Sequence, residues 1–307
     1  MSAYGKITNF SSPMDHREMM GVLDAMSERF SFLGITSIGE SMLGRMIPIV
    51  TLGQGEKAVL YVGAHSAGEW RASLFLLRFL QEMCEWLRND ACAFRYSVKY
   101  LLATRTLYFV PMINPDGVEY RLHGVEKEHI LHDRLIKMNG QSEDFSSWQA
   151  NARGVDLRYN YPCGFFEHRA QTLRDGLEGG APEGYGGEIP ESEPEVGNFC
   201  NFLRFRDDIR AVVSLYLSGE KIVYRTQDRC PPRARDIAAK LSLMSGYALF
   251  GEERVRKGSL HDFVTEEWNC PSFEIYCGNG KKSHAGSDGF YDYMTLREML
   301  FMLPTLI

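Results

Sequence analysis

Residues 58–80, AVLYVGAHSAGEWRASLFLLRFL, constrain this chain more than any other stretch. The five apolar residues from Ala58 to Val62 read as a strand buried on both faces, because a half-exposed strand would alternate apolar with polar side chains. Gly63 ends the run. A polar elbow follows, His65, Ser66, Ala67, Gly68 and Glu69. Apolar residues then return at helical spacing, with Trp70, Leu74, Leu77 and Leu80 on one side and Phe75 and Phe79 beside them. Strand, tight polar turn and helix in that order present functional groups at the carboxyl end of a strand in an open α/β sheet. His65 and Glu69 are candidate metal ligands, since imidazole and carboxylate both suit zinc. A polar residue in such a turn also serves as a helix cap, so the pair alone does not decide.

The flanks repeat the alternation. Residues 14–32 predict a helix with Met19, Met20, Leu23, Met26 and Phe30 on one stripe and Asp15 as its N-cap. Residues 35–53 read as two strands joined at Leu43, Gly44 and Arg45. Residues 106–112 are another buried strand, running into Ile113, Asn114, Pro115, Asp116 and Gly117, which read as a turn because Pro fixes φ and Gly permits φ > 0. Residues 121–148 are polar. Their His123, His129 and His132 fit no simple helical ligand pair, and the stretch reads as a solvated helix and loop. Residues 164–194, rich in Gly, Glu and Pro, predict a long surface loop of the kind that is often functional. Helices over 195–206, 233–244 and 293–303 and strands over 209–216 and 272–277 complete the pattern. The expected fold is α/β: a single α/β/α domain over residues 1–307, with a mixed, twisted sheet covered on both faces.

The totals narrow the class. A hydrophobic content of 44% and a charged content of 24% are those of a soluble globular protein. The formal net charge of −6 argues against a nucleic-acid partner, whose phosphates need a basic face. Seven scattered cysteines without metal-type spacing suit free thiols in a reducing compartment. No basic-then-apolar signal opens the chain, and no apolar run approaches the ~20 residues that cross a bilayer. The expectation is a cytoplasmic protein without a membrane partner.

Five separated pieces resemble one family, the zinc carboxypeptidases, and within it the bacterial γ-D-glutamyl-diamino-acid peptidases that cut peptidoglycan stem peptides. They occur in order: Ser37 to Ser41 with Gly44 and Arg45; Gly63, Ala64 and His65 through Glu69 and Trp70; Val110 to Val118 around Asn114-Pro115-Asp116-Gly117; Trp148 to Asn151 with Arg153-Gly154-Val155-Asp156-Leu157; and Pro190 to Glu195. Together they span roughly residues 15–305. The resemblance implies one zinc held by two His and one Glu, a second Glu as general base on zinc-bound water, and Asn and Arg side chains that hold the substrate carboxylate. The metal would lower the pKa of the water and polarise the scissile carbonyl.

The departures from that pattern fall on the working residues. Where the branch reads His-His-x-x-Glu-Trp, an ungapped comparison puts Ser66 at the ligand position and keeps Glu69. A one-residue gap lets His65 serve instead, and residues i and i+4 share a face if the turn is helical. The second His ligand falls on Tyr216, and the general base falls on Tyr276. Tyr276 is a poor base at neutral pH, with a reference pKa of about 10. Glu274 lies on the same sheet face, but two residues along a strand is ~7 Å. The Asn-Arg pair becomes Arg158 and Tyr159, followed by Asn160.

Three functions are consistent with these residues. In the first, fold and cleft are kept and zinc is lost. Ser66, Glu69, Tyr216 and Tyr276 would then form a metal-free polar cluster, and the chain would bind a peptide or peptidoglycan fragment, with Arg158, Arg153 and Arg45 as anion anchors. In the second, an active zinc metallopeptidase uses His65, Glu69 and a third ligand such as His261, placed in a loop near the cleft, or His284. In the third, Ser66 is a nucleophile with His65 as base, a placement that adjacent residues rarely achieve and for which no G-x-S-x-G elbow is present. The first is the favoured expectation.

Overall fold

The apolar run that begins at Ala58 lies in the middle of the sheet. The computed structural model describes residues 12–217, 219–251, 257–278 and 289–307. In chain order its elements are α1 (His16–Arg29), β1 (Gly34–Glu40), β2 (Met46–Gly53), β3 (Lys57–Val62), α2 (Trp70–Arg88), β4 (Cys92–Ala93), β5 (Tyr96–Ser97), α3 (Val98–Thr104), β6 (Arg105–Val110), α4 (Pro115–His123), α5 (His132–Met138), α6 (Phe165–Arg174), α7 (Pro194–Arg204), β7 (Ile209–Leu217), β8 (Lys221–Val223), α8 (Ala234–Ser245), β9 (Ala248–Phe250), α9 (Leu260–Trp268), β10 (Ser272–Cys277) and α10 (Phe290–Leu306). Among the described residues eight strands form one sheet in the order β1-β2-β6-β3-β7-β10-β8-β9. The central strands β6, β3, β7 and β10 run parallel, and antiparallel β2 and β8 flank them.

Period-two burial explains the two cores. Val59 and Tyr61 of β3 face one core with residues of α1, α2, α3, α8 and α10. Ala58, Leu60 and Val62 face the other, with Val196, Phe199 and Leu203 of α7 and Leu260, Phe263 and Val264 of α9. Both faces of the central strand are therefore apolar, which is why its sequence shows no alternation. Removing a side chain such as Leu60, wholly enclosed here, costs about 2–5 kcal/mol.

Local chemistry sets the helix starts. Asp15 caps α1 in a capping box with Glu18, in which each side chain accepts the other's backbone N–H. The Asn114-Pro115-Asp116-Gly117 segment differs from its reading as a turn. Asn114 is an N-cap whose side chain accepts from the Gly117 N–H, and Pro115 occupies the first turn of α4. Pro there gives up only an N–H that has no helical partner. Gly117 is needed for space, because a Cβ would stand 2.2 Å from the Ala150 carbonyl oxygen.

The 164–194 stretch is not wholly loop. α6 starts directly after Gly164, which takes the left-handed φ of +77° that a glycine adopts without strain. His261 also sits on a helix rather than in a loop. Ser259 and Asp262 form the capping box of α9, and His261 is enclosed in its first turn. His284 lies outside the described residues.

Candidate functional site

The site is the elbow between β3 and α2, at the carboxyl ends of β3, β7 and β10. Ala64 turns the chain with φ +47°, a conformation a non-glycine residue holds only when its surroundings impose it. Two side chains impose it. Asn114 Nδ2 donates to the carbonyls of His65 and Ala150, both at 3.2 Å, and the Asn114 N–H donates to the Ala64 carbonyl. Gln149 accepts from the Ala67 N–H at its carbonyl and from the Gly68 N–H at its side chain. A short 3-10 turn, Ala67–Glu69, then leads into α2.

This geometry separates the side chains of the elbow. The His65 ring is enclosed and its Nε2 is 2.9 Å from the Tyr161 hydroxyl. Burial, assisted by the positive Arg158, lowers its pKa to about 3, so the imidazole is neutral. Its Nδ1 has no hydrogen-bond partner among the described residues. Ser66 stands at the N-cap of the 3-10 turn but makes no capping bond, and among the described residues its buried hydroxyl also has no partner. Glu69 points elsewhere: its Oε2 accepts the Leu217 N–H at 2.7 Å. Burial pushes the Glu69 carboxyl up to about 7, against the Leu217 bond and the fields of Arg158 and Arg121.

Tyr216 and Tyr276 are directly paired on β7 and β10, and their rings stack 4.9 Å apart at 20°. Tyr216 also faces the His65 ring at 6.4 Å. The Tyr276 hydroxyl donates to Glu274 Oε2 at 3.2 Å, so the same-face relation expected from the two-residue spacing appears as a direct contact. The Lys221 ammonium lies 4.3 Å from the centre of the Tyr276 ring.

The candidate substrate residues are mostly engaged within the protein. Arg158 makes a two-bond fork to the enclosed Asp156, at 2.9 and 2.7 Å, and a third bond to Glu183. That pairing holds the Asp156 carboxyl below its ordinary range in spite of burial. Tyr159 stacks on His168 at 4.2 Å. Asn160 is enclosed and spends its amide on Gly186, Ile189 and Ser192 while its oxygen accepts from Glu193. Arg153 reaches outward, with Nη1 3.8 Å from Glu193. Arg45 is paired with Asp116 at 2.6 Å.

A family model described as zinc carboxypeptidase matches residues 19–293. The chain belongs to the zinc carboxypeptidase family. It is 29% identical over 275 residues to γ-D-glutamyl-L-diamino acid endopeptidase 1 of Lysinibacillus sphaericus, covering 90% of this chain and 68% of that protein. Its fold is similar to bovine thrombin-activatable fibrinolysis inhibitor in complex with tick carboxypeptidase inhibitor, with a TM-score of 0.73, 19% identity and 97% of each chain covered. It is also similar to the murein-tripeptide amidase MpaA from Escherichia coli O157, with a TM-score of 0.51, 18% identity, and 89% of this chain and 91% of that one covered.

The donor set at the elbow does not fit the zinc of this family. Ser66 and Tyr216 bring no imidazole, Glu69 is turned to the Leu217 N–H, and His65 Nε2 is turned to Tyr161. The residues between His65 and Glu69 do not form the helical turn that would bring i and i+4 together. Among the described residues, three metal-type ligand atoms come within 4.8 Å of one another at Asp15, Glu119 and His123, where α1 starts and α4 ends, and not at the elbow. Tyr161 and Arg121 are the site residues that sequence reasoning passed over. The aromatic two places after the substituted Arg158-Tyr159 pair was a signal for Tyr161. Arg121 lay in a stretch read as solvated.

Proposed function

We propose that this chain is a zinc-carboxypeptidase-fold protein that binds a peptide or peptidoglycan stem peptide at the carboxyl end of its sheet without a catalytic zinc. The carrying observation is the elbow itself. Where the family resemblance would put imidazole there stand a serine hydroxyl and a stacked tyrosine, and Glu69 and the neighbouring His65 are each committed to protein partners. A site with one carboxylate and no convergent imidazoles binds zinc weakly. The protein's own groups would then hold the ligand. The Tyr216–Tyr276 stack offers an aromatic wall beside the elbow. The relation to an endopeptidase of γ-D-glutamyl-L-diamino acid bonds supports a stem-peptide ligand. No described helix is long and apolar enough to cross a membrane.

Elemental analysis of the purified protein tests the reading. Zinc well below one per chain, no thermal shift on adding zinc, and calorimetric binding of γ-D-glutamyl-L-lysine without its hydrolysis are the expected results. One observation favours the rearranged-site alternative: His65 Nδ1 has no partner. About one zinc per chain, with chelator-sensitive cleavage of that peptide, would establish that alternative and reject the proposal.

A further inference from the structure

The residues that would hold a ligand carboxylate by position are occupied or uncharged. Arg158 is forked to Asp156 and bonded to Glu183, Asn160 is used up by loop carbonyls, and Tyr159 stacks on His168. Arg121 is different. It is half-buried on α4, and its one bond is a long one of 3.4 Å from Nη1 to the Trp148 carbonyl. Among the described residues it has no ion-pair partner, and the carboxylates of Glu69 and Asp144 act on it only from a distance. The residue after Trp148 is Gln149, whose carbonyl and side chain strap Ala67 and Gly68. The Arg121 guanidinium therefore stands beside the elbow, on the strap that holds it. A partly desolvated guanidinium with one long bond and no direct ion pair among the described residues is stabilised by an anion that arrives in contact with it, and its planar fork matches a carboxylate.

We infer that Arg121 is the residue that binds the ligand's terminal carboxylate, so that the carboxylate-holding role has passed from the 158–160 segment to α4. This rests on the peptide-binding reading above and names the contact that selects a free acid end.

Calorimetry with γ-D-glutamyl-L-lysine and with the same dipeptide as its C-terminal amide is the test, on wild type, Arg121→Gln, Arg121→Lys and Arg71→Gln. Arg71, the control, is a nearby guanidinium that lies over the Trp70 ring. Wild type is expected to prefer the acid by about tenfold or more, the worth of one charge-assisted pair. Arg121→Gln should bring acid and amide to the same affinity while leaving the amide's unchanged. Arg121→Lys should restore part of the preference, and Arg71→Gln should keep it. Melting temperatures within a few degrees of wild type show that the variants are folded. A preference for the acid that survives in folded Arg121→Gln, or that disappears equally in Arg71→Gln, overturns the inference and leaves the peptide-binding reading standing. Wild type that binds neither dipeptide overturns both.

Discussion

Two polar regions of this molecule differ in how their buried groups are satisfied. At the tip of the β1–β2 hairpin, four family-like segments meet through a dense set of hydrogen bonds, although among the described residues the buried Tyr120 hydroxyl, in the field of Asp116 and Arg45, has no hydrogen-bond partner. Asp116 accepts from Ser41 Oγ, the Leu43 N–H and Arg45, while Glu195 accepts from the Met42 N–H and Asn151, which also donates to Glu193. At the β3–α2 elbow, among the described residues, His65 Nδ1 and Ser66 Oγ are buried without partners. The hairpin tip retains its residues because each supports another element of the fold. The elbow carries its orphans without disturbing the pairing of the strand that leads into it.

The comparison breaks most sharply at Asp116. Asp116→Ala leaves Arg45, Ser41 and the Leu43 N–H facing a void, and about 3–5 kcal/mol of stability should go with it. Chemical denaturation measures this. A loss under 1 kcal/mol would mean that the hairpin tip is no better built than the elbow.

Glu195 gives the next effect. Burial, together with the nearby Asp116 and Glu193 carboxylates, pushes its carboxyl up to about 8, while Arg45 and Arg153 stand across from those two acids. A folded-state pKa above the unfolded value of about 4.3 means that the contribution is full below pH 4 and is lost progressively as pH rises through about 8. Glu69, raised to about 7 at the elbow, acts in the same direction over a narrower range. Stability should decline between pH 5 and 8 by on the order of a few kcal/mol, and Glu195→Gln should flatten more of that decline than Glu69→Gln. Urea midpoints across this pH range decide it. An unchanged slope in Glu195→Gln would place the shared proton elsewhere.

The contrast between the regions also explains what the sequence allowed to be read. The central strands were legible because burial on both faces writes an uninterrupted apolar run, as in residues 58–62 and 272–277. The α1 start was legible because Asp15 and Glu18 cap it locally. The segment after β6 was misread because Asn-Pro-Asp-Gly satisfies turn chemistry and helix-start chemistry equally, and only the bond from Gly117 to Asn114 separates them. α6 was hidden by flanking glycines, and β8 and β9, three residues each, are too short to show a period. At the candidate site, the family pattern pointed to Ser66, Tyr216 and Tyr276, which the fold brings close to the His65 ring. Their partners were not legible, because the bond from Tyr161 to His65 spans 96 residues and the bond from Leu217 to Glu69 spans 148.

Tyr161→Phe carries the comparison into the elbow. It removes the single partner of the His65 ring and leaves two buried nitrogens unsatisfied, at a cost of about 1–3 kcal/mol. His65→Phe in the same background should recover part of that loss, since removing both partners of a buried bond costs less than removing one. A double-mutant cycle on thermal unfolding tests this, and additive losses would mean that the two side chains are not coupled.

Ser66→Ala should do least. Its hydroxyl is enclosed, makes no capping bond and has no partner, so the folded state holds a desolvated polar group without return. Removing it sheds that penalty and leaves a void the size of one oxygen. The two terms oppose each other, and the net change should lie within about 0.5 kcal/mol of zero, on the stabilising side if the methyl packs well. The same substitution at Ser41, whose hydroxyl donates to Asp116 and accepts from the Arg45 N–H, should cost about 1–3 kcal/mol. Two buried serines, one change of one atom, and opposite outcomes would separate the braced hairpin tip from the unbraced elbow. Equal losses at both positions would show that Ser66 has a partner in solution, and that the elbow is as fully satisfied as the hairpin tip.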